Sequence, residues 1–147
     1  MTTYCSLCET DGGAVLWQGD RLRIVAVDDT HYPGFVRVIW NDHVAEMSDL
    51  STPDRSLLFG TVLLVEQAVR RYMQPDKINL ASLGNQVPHL HWHIIPRYRD
   101  DPHFPAPVWA SLRPERMQDE GWQIRHAERQ ARALALNDAL RAQSLSD

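Results

Sequence analysis

Two cysteines, one lysine and no long apolar run are the main shortages in this 147-residue chain. Cys5 and Cys8 are too few for a disulfide framework, and no basic stretch followed by an apolar one opens the N-terminus. The expectation is a cytoplasmic protein whose thiols are reduced or bound to metal. The longest apolar stretch, residues 60–65, stops at Glu66. That is far short of the roughly 18–20 residues a membrane-spanning helix needs, so no membrane partner is expected. Fifteen Lys+Arg against nineteen Asp+Glu give a net charge of −4, with no basic face, which argues against a nucleic-acid polymer as partner. Lys77 is the only lysine, a bias we read as codon usage and not as function. What is present is ordinary: 44% hydrophobic and 23% charged residues, enough to bury a core in one domain.

The pattern predicts grouped strands and few helices. Residues 15–17 and 22–27, joined at Gly19-Asp20, suggest a hairpin, and residues 35–40 follow the Pro33-Gly34 turn as a third strand. Residues 53–74 read as a helix, with Ser51 or Thr52 as N-cap, Pro53 in the first turn and apolar positions from Leu57 to Tyr72 on one face. Residues 77–84 and 89–95 predict two more strands, the second closed by Pro96. A proline-rich loop at 100–107 and a polar helix over 114–142 complete a β-β-β-α-β-β-α order, an α+β protein with an antiparallel sheet. The apolar positions of the last helix (Trp122, Ile124, Ala131, Leu134, Leu136, Leu140) are sparse, so it is expected to pack peripherally or on a partner subunit. The division expected is a core over 1–99 and a loop-and-helix tail over 100–147.

The segment that carries chemistry is His89-Leu90-His91-Trp92-His93-Ile94-Ile95-Pro96. In a strand the three histidines share one face, about 6.6–6.8 Å apart, while Leu90, Trp92 and Ile94 face a core. Three readings stand: a half-exposed strand, a metal site, or nucleophilic catalysis by imidazole on phosphorus. Cys5-x-x-Cys8 is equally open between half a metal site, packed thiols and a redox pair. His31, His103 and His126 read as solvated, although His103-Phe104-Pro105 with Trp109 could form an aromatic lid.

Residues 84–97, Gly-Asn-Gln-Val-Pro-His-Leu-His-Trp-His-Ile-Ile-Pro-Arg, resemble the signature of the histidine triad (HIT) family, His-φ-His-φ-His-φ-φ with φ apolar. Pro33-Gly34-Phe35-Val36-Arg37-Val38-Ile39, His43 and Met47-Ser48-Asp49-Leu50 resemble the family's middle strand and helix lead-in, so the likeness covers residues 4–99. It implies a five-stranded antiparallel sheet with two helices, here extended by a C-terminal helical tail, and a homodimer. It implies a hydrolase or transferase acting at the α-phosphate of a dinucleoside polyphosphate or nucleoside phosphoramidate. His91 would be the nucleophile, flanked by His89 and His93, and a purine nucleoside monophosphate would be the product, with no catalytic cofactor.

The resemblance also implies nucleotide contacts from Asp28, or its neighbour Asp29, to ribose, and from Asn79 near the phosphate. It implies a structural zinc site of Cys5, Cys8, His43 and His89, which would leave only His91 and His93 free for chemistry. There are departures. Gly84-Asn85-Gln86 lacks the family's Ser/Thr hydroxyl, so the amides of Asn85 and Gln86 would serve instead. Pro88 removes a backbone donor, and Trp92 is large for an inward φ position. The altered loop keeps a second class in view, a nucleotide-binding or sensing module with negligible turnover.

Overall fold

The computed structural model describes residues 4–143 and 145. A short turn of helix, α1 (Ser6–Glu9), leads into β1 (Ala14–Gln18), β2 (Leu22–Ala26) and β3 (Val36–Trp40), then the long helix α2 (Thr52–Met73). β4 (Lys77–Ala81), β5 (His91–Arg97) and the C-terminal helix α3 (Glu120–Arg141) follow. The five strands form one antiparallel sheet in the order β1-β2-β3-β5-β4. The expected fold class is the observed one.

α2 starts where its local chemistry dictates. Ser51 Oγ accepts from the Asp54 amide, Pro53 sits in the first turn, and Asp54 places negative charge against the positive end of the helix dipole. Gln74, in a left-handed conformation, ends the helix before Pro75. Leu58, Val62, Val65, Val69 and Met73 recur at helical spacing and are buried.

Alternation along the strands divides the sheet into two faces. Leu22, Ile24, Val36, Val38 and Ile94 join α2 in the main core. Arg23, Val25, Arg37, Ile39, His91 and His93 turn to the other face. Gly34, at φ +83°, makes the turn into β3, and a Cβ there would sit 2.8 Å from the Met73 sulfur, so the turn is pressed against the end of α2.

Three expectations need correction. β5 begins at His91, not 89, and runs through Pro96 to Arg97. β3 accompanies β5 only as far as Ile94, so beyond it one side of β5 has no ladder for a proline to break. β4 ends at Ala81 and not at 84. The last helix does not start at 114: a 3-10 turn at Pro114–Gln118 precedes α3, which Asp119 caps by accepting from Trp122 N.

α3 packs on its own chain. Ala133, Leu136 and Leu140 enter the same core as α2, while Ile124 and Leu134 face solvent. Asp100 ties the preceding loop to α3 through Arg125 and Arg129, each at 2.8 Å.

The proline-rich loop is anchored by a buried ion pair. Arg97 binds both carboxylate oxygens of Asp101, at 2.7 and 3.1 Å, and the pair is 3% and 2% exposed. Asp101 also accepts from the amides of Tyr98, His103 and Phe104 and from the Tyr32 hydroxyl. Burial alone would push the Asp101 carboxyl up, but Arg97 and the backbone N–H donors outweigh it and hold the group below the usual range.

The sign follows: this stabilisation is full above the unfolded aspartate value of about 4 and is lost as pH falls through the lower folded value. Asp101→Asn or Arg97→Met strands the other partner in the interior, and is expected to cost about 3–5 kcal/mol in urea melts at pH 7. For Asp101→Asn the penalty should shrink in melts at about pH 3. An equal penalty at both pH values would show that the charge of Asp101 is not what matters.

Candidate active site and metal-binding cluster

The histidine run divides between two sites. His89 lies before β5 and is fully buried. Its Nε2 is 2.6 Å from the carbonyl oxygen of Trp40. A carbonyl only accepts, so Nε2 carries the proton and Nδ1 presents a lone pair. That lone pair faces Cys5 Sγ at 3.5 Å, Cys8 Sγ at 3.4 Å and His43 Nδ1 at 3.3 Å, and Cys8 Sγ is 3.4 Å from His43 Nδ1.

The four ligand atoms all lie within 4.8 Å of one another and could hold a metal ion. A tetrahedron with ordinary zinc–sulfur and zinc–nitrogen bonds has edges of about 3.3–3.8 Å, which the four separations of 3.3–3.5 Å match. Cys8 lies in α1 and Cys5 is its N-cap residue. The turn is held by the buried Arg23, which donates to the carbonyls of Leu7, Thr10 and Asp11 and to Asn41.

His91 turns the other way. Its Nδ1 is 2.5 Å from the carbonyl oxygen of His89, so by the same rule Nδ1 is protonated and Nε2 carries the lone pair. Burial holds His91 below the usual imidazole range despite that contact, so the ring is neutral near pH 7. The ring of His93 meets it edge-on at 4.8 Å.

His91 and His93 line a cleft of about 430 Å³ together with Arg37, Trp109 and the 83–87 loop. Gly84, at φ +72°, lets that loop turn over the histidines. Asn85 and Gln86 both line the cleft. The sheet thus presents a Cys2His2 cluster and a histidine-lined cleft side by side, joined through the backbone of residues 89–91.

Other expected positions fall elsewhere. Asn79 is on the same sheet face, but its side-chain oxygen accepts from Arg97 at 2.8 Å and it does not line the cleft. Asp28 borders a groove beneath α3, whereas Asp29 also acts through space on Arg37. His103 is buried, not solvated: its Nδ1 lies 2.6 Å from the Tyr32 hydroxyl, in the network of Asp101. Of the lid segment, only Trp109 reaches the cleft.

His126 stacks on Trp122 at 4.5 Å. Arg37 is the cleft residue that sequence reading passes over. A lone arginine within a β run carries no motif, and only the pairing of β3 with β5 sets it opposite His93.

Comparison with known proteins agrees with this layout. A family profile described as "HIT domain" matches residues 12–100. The bis(5'-adenosyl)-triphosphatase of Saccharomyces cerevisiae is 37% identical over 73 residues, 46% of this chain and 35% of the yeast protein. The asymmetrical bis(5'-nucleosyl)-tetraphosphatase of Schizosaccharomyces pombe is 34% identical over 74 residues, 47% of this chain and 41% of that protein. The alignments therefore span well under half the length of these curated relatives. Among solved structures, a histidine triad protein from Marinobacter aquaeolei superposes with a TM-score of 0.66 at 26% identity, covering 88% of this chain and 92% of that one. The profile spans more than half the sequence and the sheet order, helices and histidine run accord with it: the chain belongs to the histidine triad (HIT) family.

Proposed function

We propose that the protein is a nucleotide hydrolase or transferase that works at the α-phosphate of a dinucleoside polyphosphate or nucleoside phosphoramidate through a nucleotidyl-His91 intermediate. The observation that carries this is the 2.5 Å contact from His91 Nδ1 to the His89 carbonyl, which leaves a neutral imidazole with its Nε2 lone pair free in a cleft. That lone pair attacks the α-phosphorus, a new P–N bond forms, and the bond to the leaving group breaks with its electron pair on the departing atom. As positive charge develops on the ring, the His89 carbonyl stabilises the Nδ1 proton.

Water then attacks phosphorus, the P–N bond breaks with its electron pair back onto Nε2, the water's surplus proton passes to solvent, and a nucleoside monophosphate is released. His93 and the side-chain amides of Asn85 and Gln86 would donate to the phosphoryl oxygens. The names of the two yeast relatives, both dinucleoside polyphosphate hydrolases, support this substrate class.

Cys5, Cys8, His43 and His89 would hold one zinc ion. With four protein ligands the ion would serve as a closed structural centre that fastens α1 to the sheet, and no catalytic cofactor is assigned.

The test of the reaction is intact-protein mass spectrometry after brief mixing with diadenosine tetraphosphate or adenosine 5'-phosphoramidate, read beside a product assay. A transient nucleotidyl adduct on the wild type, absent from His91→Asn, is the expected result. Product formed by His91→Asn at the wild-type rate would sink the mechanism. Retained nucleotide without product would favour the binding-module reading.

A second copy of this chain is the proposed partner. β4 is an open edge of the sheet, and Leu80 on it and Phe59 and Leu63 on α2 are exposed large apolar side chains. Phe59 packs on Trp92 at 5.2 Å, and the buried Trp92 Nε1 has no acceptor among the described residues. The double variant Leu63→Arg/Leu80→Arg is expected to halve the mass measured by light scattering. An unchanged dimer mass would place the interface elsewhere, and a monomeric wild type would remove the proposal.

A further inference from the structure

Arg37 stands in the cleft without a part in the steps above. It lies opposite His93 in the β3–β5 pairing, and its Nε donates to His93 Nδ1 at 3.3 Å. Its Nη1 donates to the Gly12 carbonyl at 3.1 Å, so two of the three guanidinium nitrogens are held. A guanidinium has donors only. His93 Nδ1 must therefore accept, and the ring proton sits on Nε2. Phe35 and His91 meet the His93 ring edge-on, at 5.6 and 4.8 Å, and fix its plane. A second proton would have to enter at Nδ1, against a permanent cation. Burial, then His91 and Arg37, bring His93 down to about 4.

We propose that Arg37 locks His93 as a neutral Nε2–H donor and adds a fixed cation to the cleft, and so restricts the enzyme to anhydride substrates whose leaving group is a phosphate chain, in preference to phosphoramidates whose leaving group is an amine. This rests on the nucleotidyl-His91 reading and narrows it.

The two substrates differ in what their leaving groups need. When the bridging P–O bond breaks, the electron pair stays on oxygen and the phosphate chain departs as an anion. It needs no proton, and the guanidinium and N–H donors stabilise the charge that develops. When a P–N bond breaks, the pair stays on nitrogen, which must gain a proton to leave as an amine. Among the described residues lining the cleft there is no carboxyl, hydroxyl or thiol. The amides of Asn85 and Gln86 donate hydrogen bonds but do not release a proton. His91 is the nucleophile, and Arg37 denies His93 the imidazolium form. The cleft is thus equipped for an anionic leaving group and lacks an acid for a basic one.

The test uses the full chain. Two-bond proton–nitrogen correlation spectra of the His93 ring are recorded on the wild type between about pH 6 and 8, the range in which an ordinary imidazole titrates. The expected signature is the neutral Nε2–H tautomer throughout. An Nδ1–H tautomer, or an imidazolium at pH 7, would overturn the proposal whatever the activity.

In parallel, kcat/KM is measured for diadenosine tetraphosphate and for adenosine 5'-phosphoramidate on the wild type, Arg37→Lys and Arg37→Met. The wild type should prefer the anhydride. Arg37→Met should reduce that preference by roughly 10- to 100-fold, the scale of one charge-assisted contact, with Arg37→Lys between the two. Equal loss on both substrates would mark Arg37 as merely structural and overturn the assignment. Failure of the wild type to turn over either substrate would instead bring down the His91 reading, and the tautomer spectrum tells the two failures apart.

Discussion

His91→Asn is expected to lower kcat for nucleotide cleavage by about 10⁴-fold or more while leaving the fold intact. Asparagine keeps a donor near the place of Nδ1, so the contact to the His89 carbonyl survives in kind. What it lacks is a second ring nitrogen with a lone pair in the cleft. His91 is buried beside Ile39, and a polar side chain of similar reach fills much of the same space, so melting temperature should move little. The comparison with His93 is the sharper part of the prediction. His93→Asn removes the donor at the Nε2 position, which the shorter amide does not reach, and not the nucleophile, so it should cost about 10²–10³-fold, the scale of losing one oxyanion-type donor. Equal losses at the two positions would contradict the division of labour drawn from the two ring tautomers.

The second large effect is on stability. Cys5→Ser, or prolonged chelation of the wild type, is expected to lower stability by about 4 kcal/mol or more. For a chain of this size that corresponds to about 10 °C in melting temperature. Cys5 and Leu7 are buried with Val25 and Ile39, and α1 has only four residues, too few to hold itself as a helix. Without an ion to bind them, two thiols and two imidazoles would be left with weak contacts at 3.3–3.5 Å in place of metal–ligand bonds.

Elemental analysis of the purified protein should show one zinc per chain, absent from Cys5→Ser. The effect should reach the cleft through the backbone, because the carbonyl that orients His91 belongs to His89. Chelation that removes zinc with no change in melting temperature would show that the cluster does not fasten the N-terminal turn.

The class of fold was legible because its signals are local. The β-rich apolar runs at residues 22–26 and 36–40, helical spacing in α2, Ser51 and Pro53 at its start, and Pro33-Gly34 before β3 each act within a few residues, so tertiary contacts had little to override. The histidine run was legible because three imidazoles at alternate positions are a costly choice for a plain surface strand. Boundaries were less legible. Whether Pro96 ends β5 depends on how far β3 runs beside it, and that is a matter of distant pairing.

The site shows the same division. The sequence by itself determined that His91 and His93 share a sheet face, that two cysteines near the N-terminus await partners, and that an α+β domain carries them. Spacing along the chain could not separate the roles of three histidines of one residue type; the family resemblance implied different roles for His89 and His91, without the physical reason. That depended on which carbonyl each ring meets: Trp40 for His89, which turns its lone pair to the cysteines, and His89 for His91, which turns its lone pair to the cleft. Nor could it place Arg37 beside His93 or commit Asn79 to Arg97, because both contacts join residues far apart in the chain. Only the tertiary structure decided these. A ring's tautomer and a guanidinium's partner are set by acceptors within about 3 Å in space, and strand pairing, not spacing along the chain, brings those acceptors into reach.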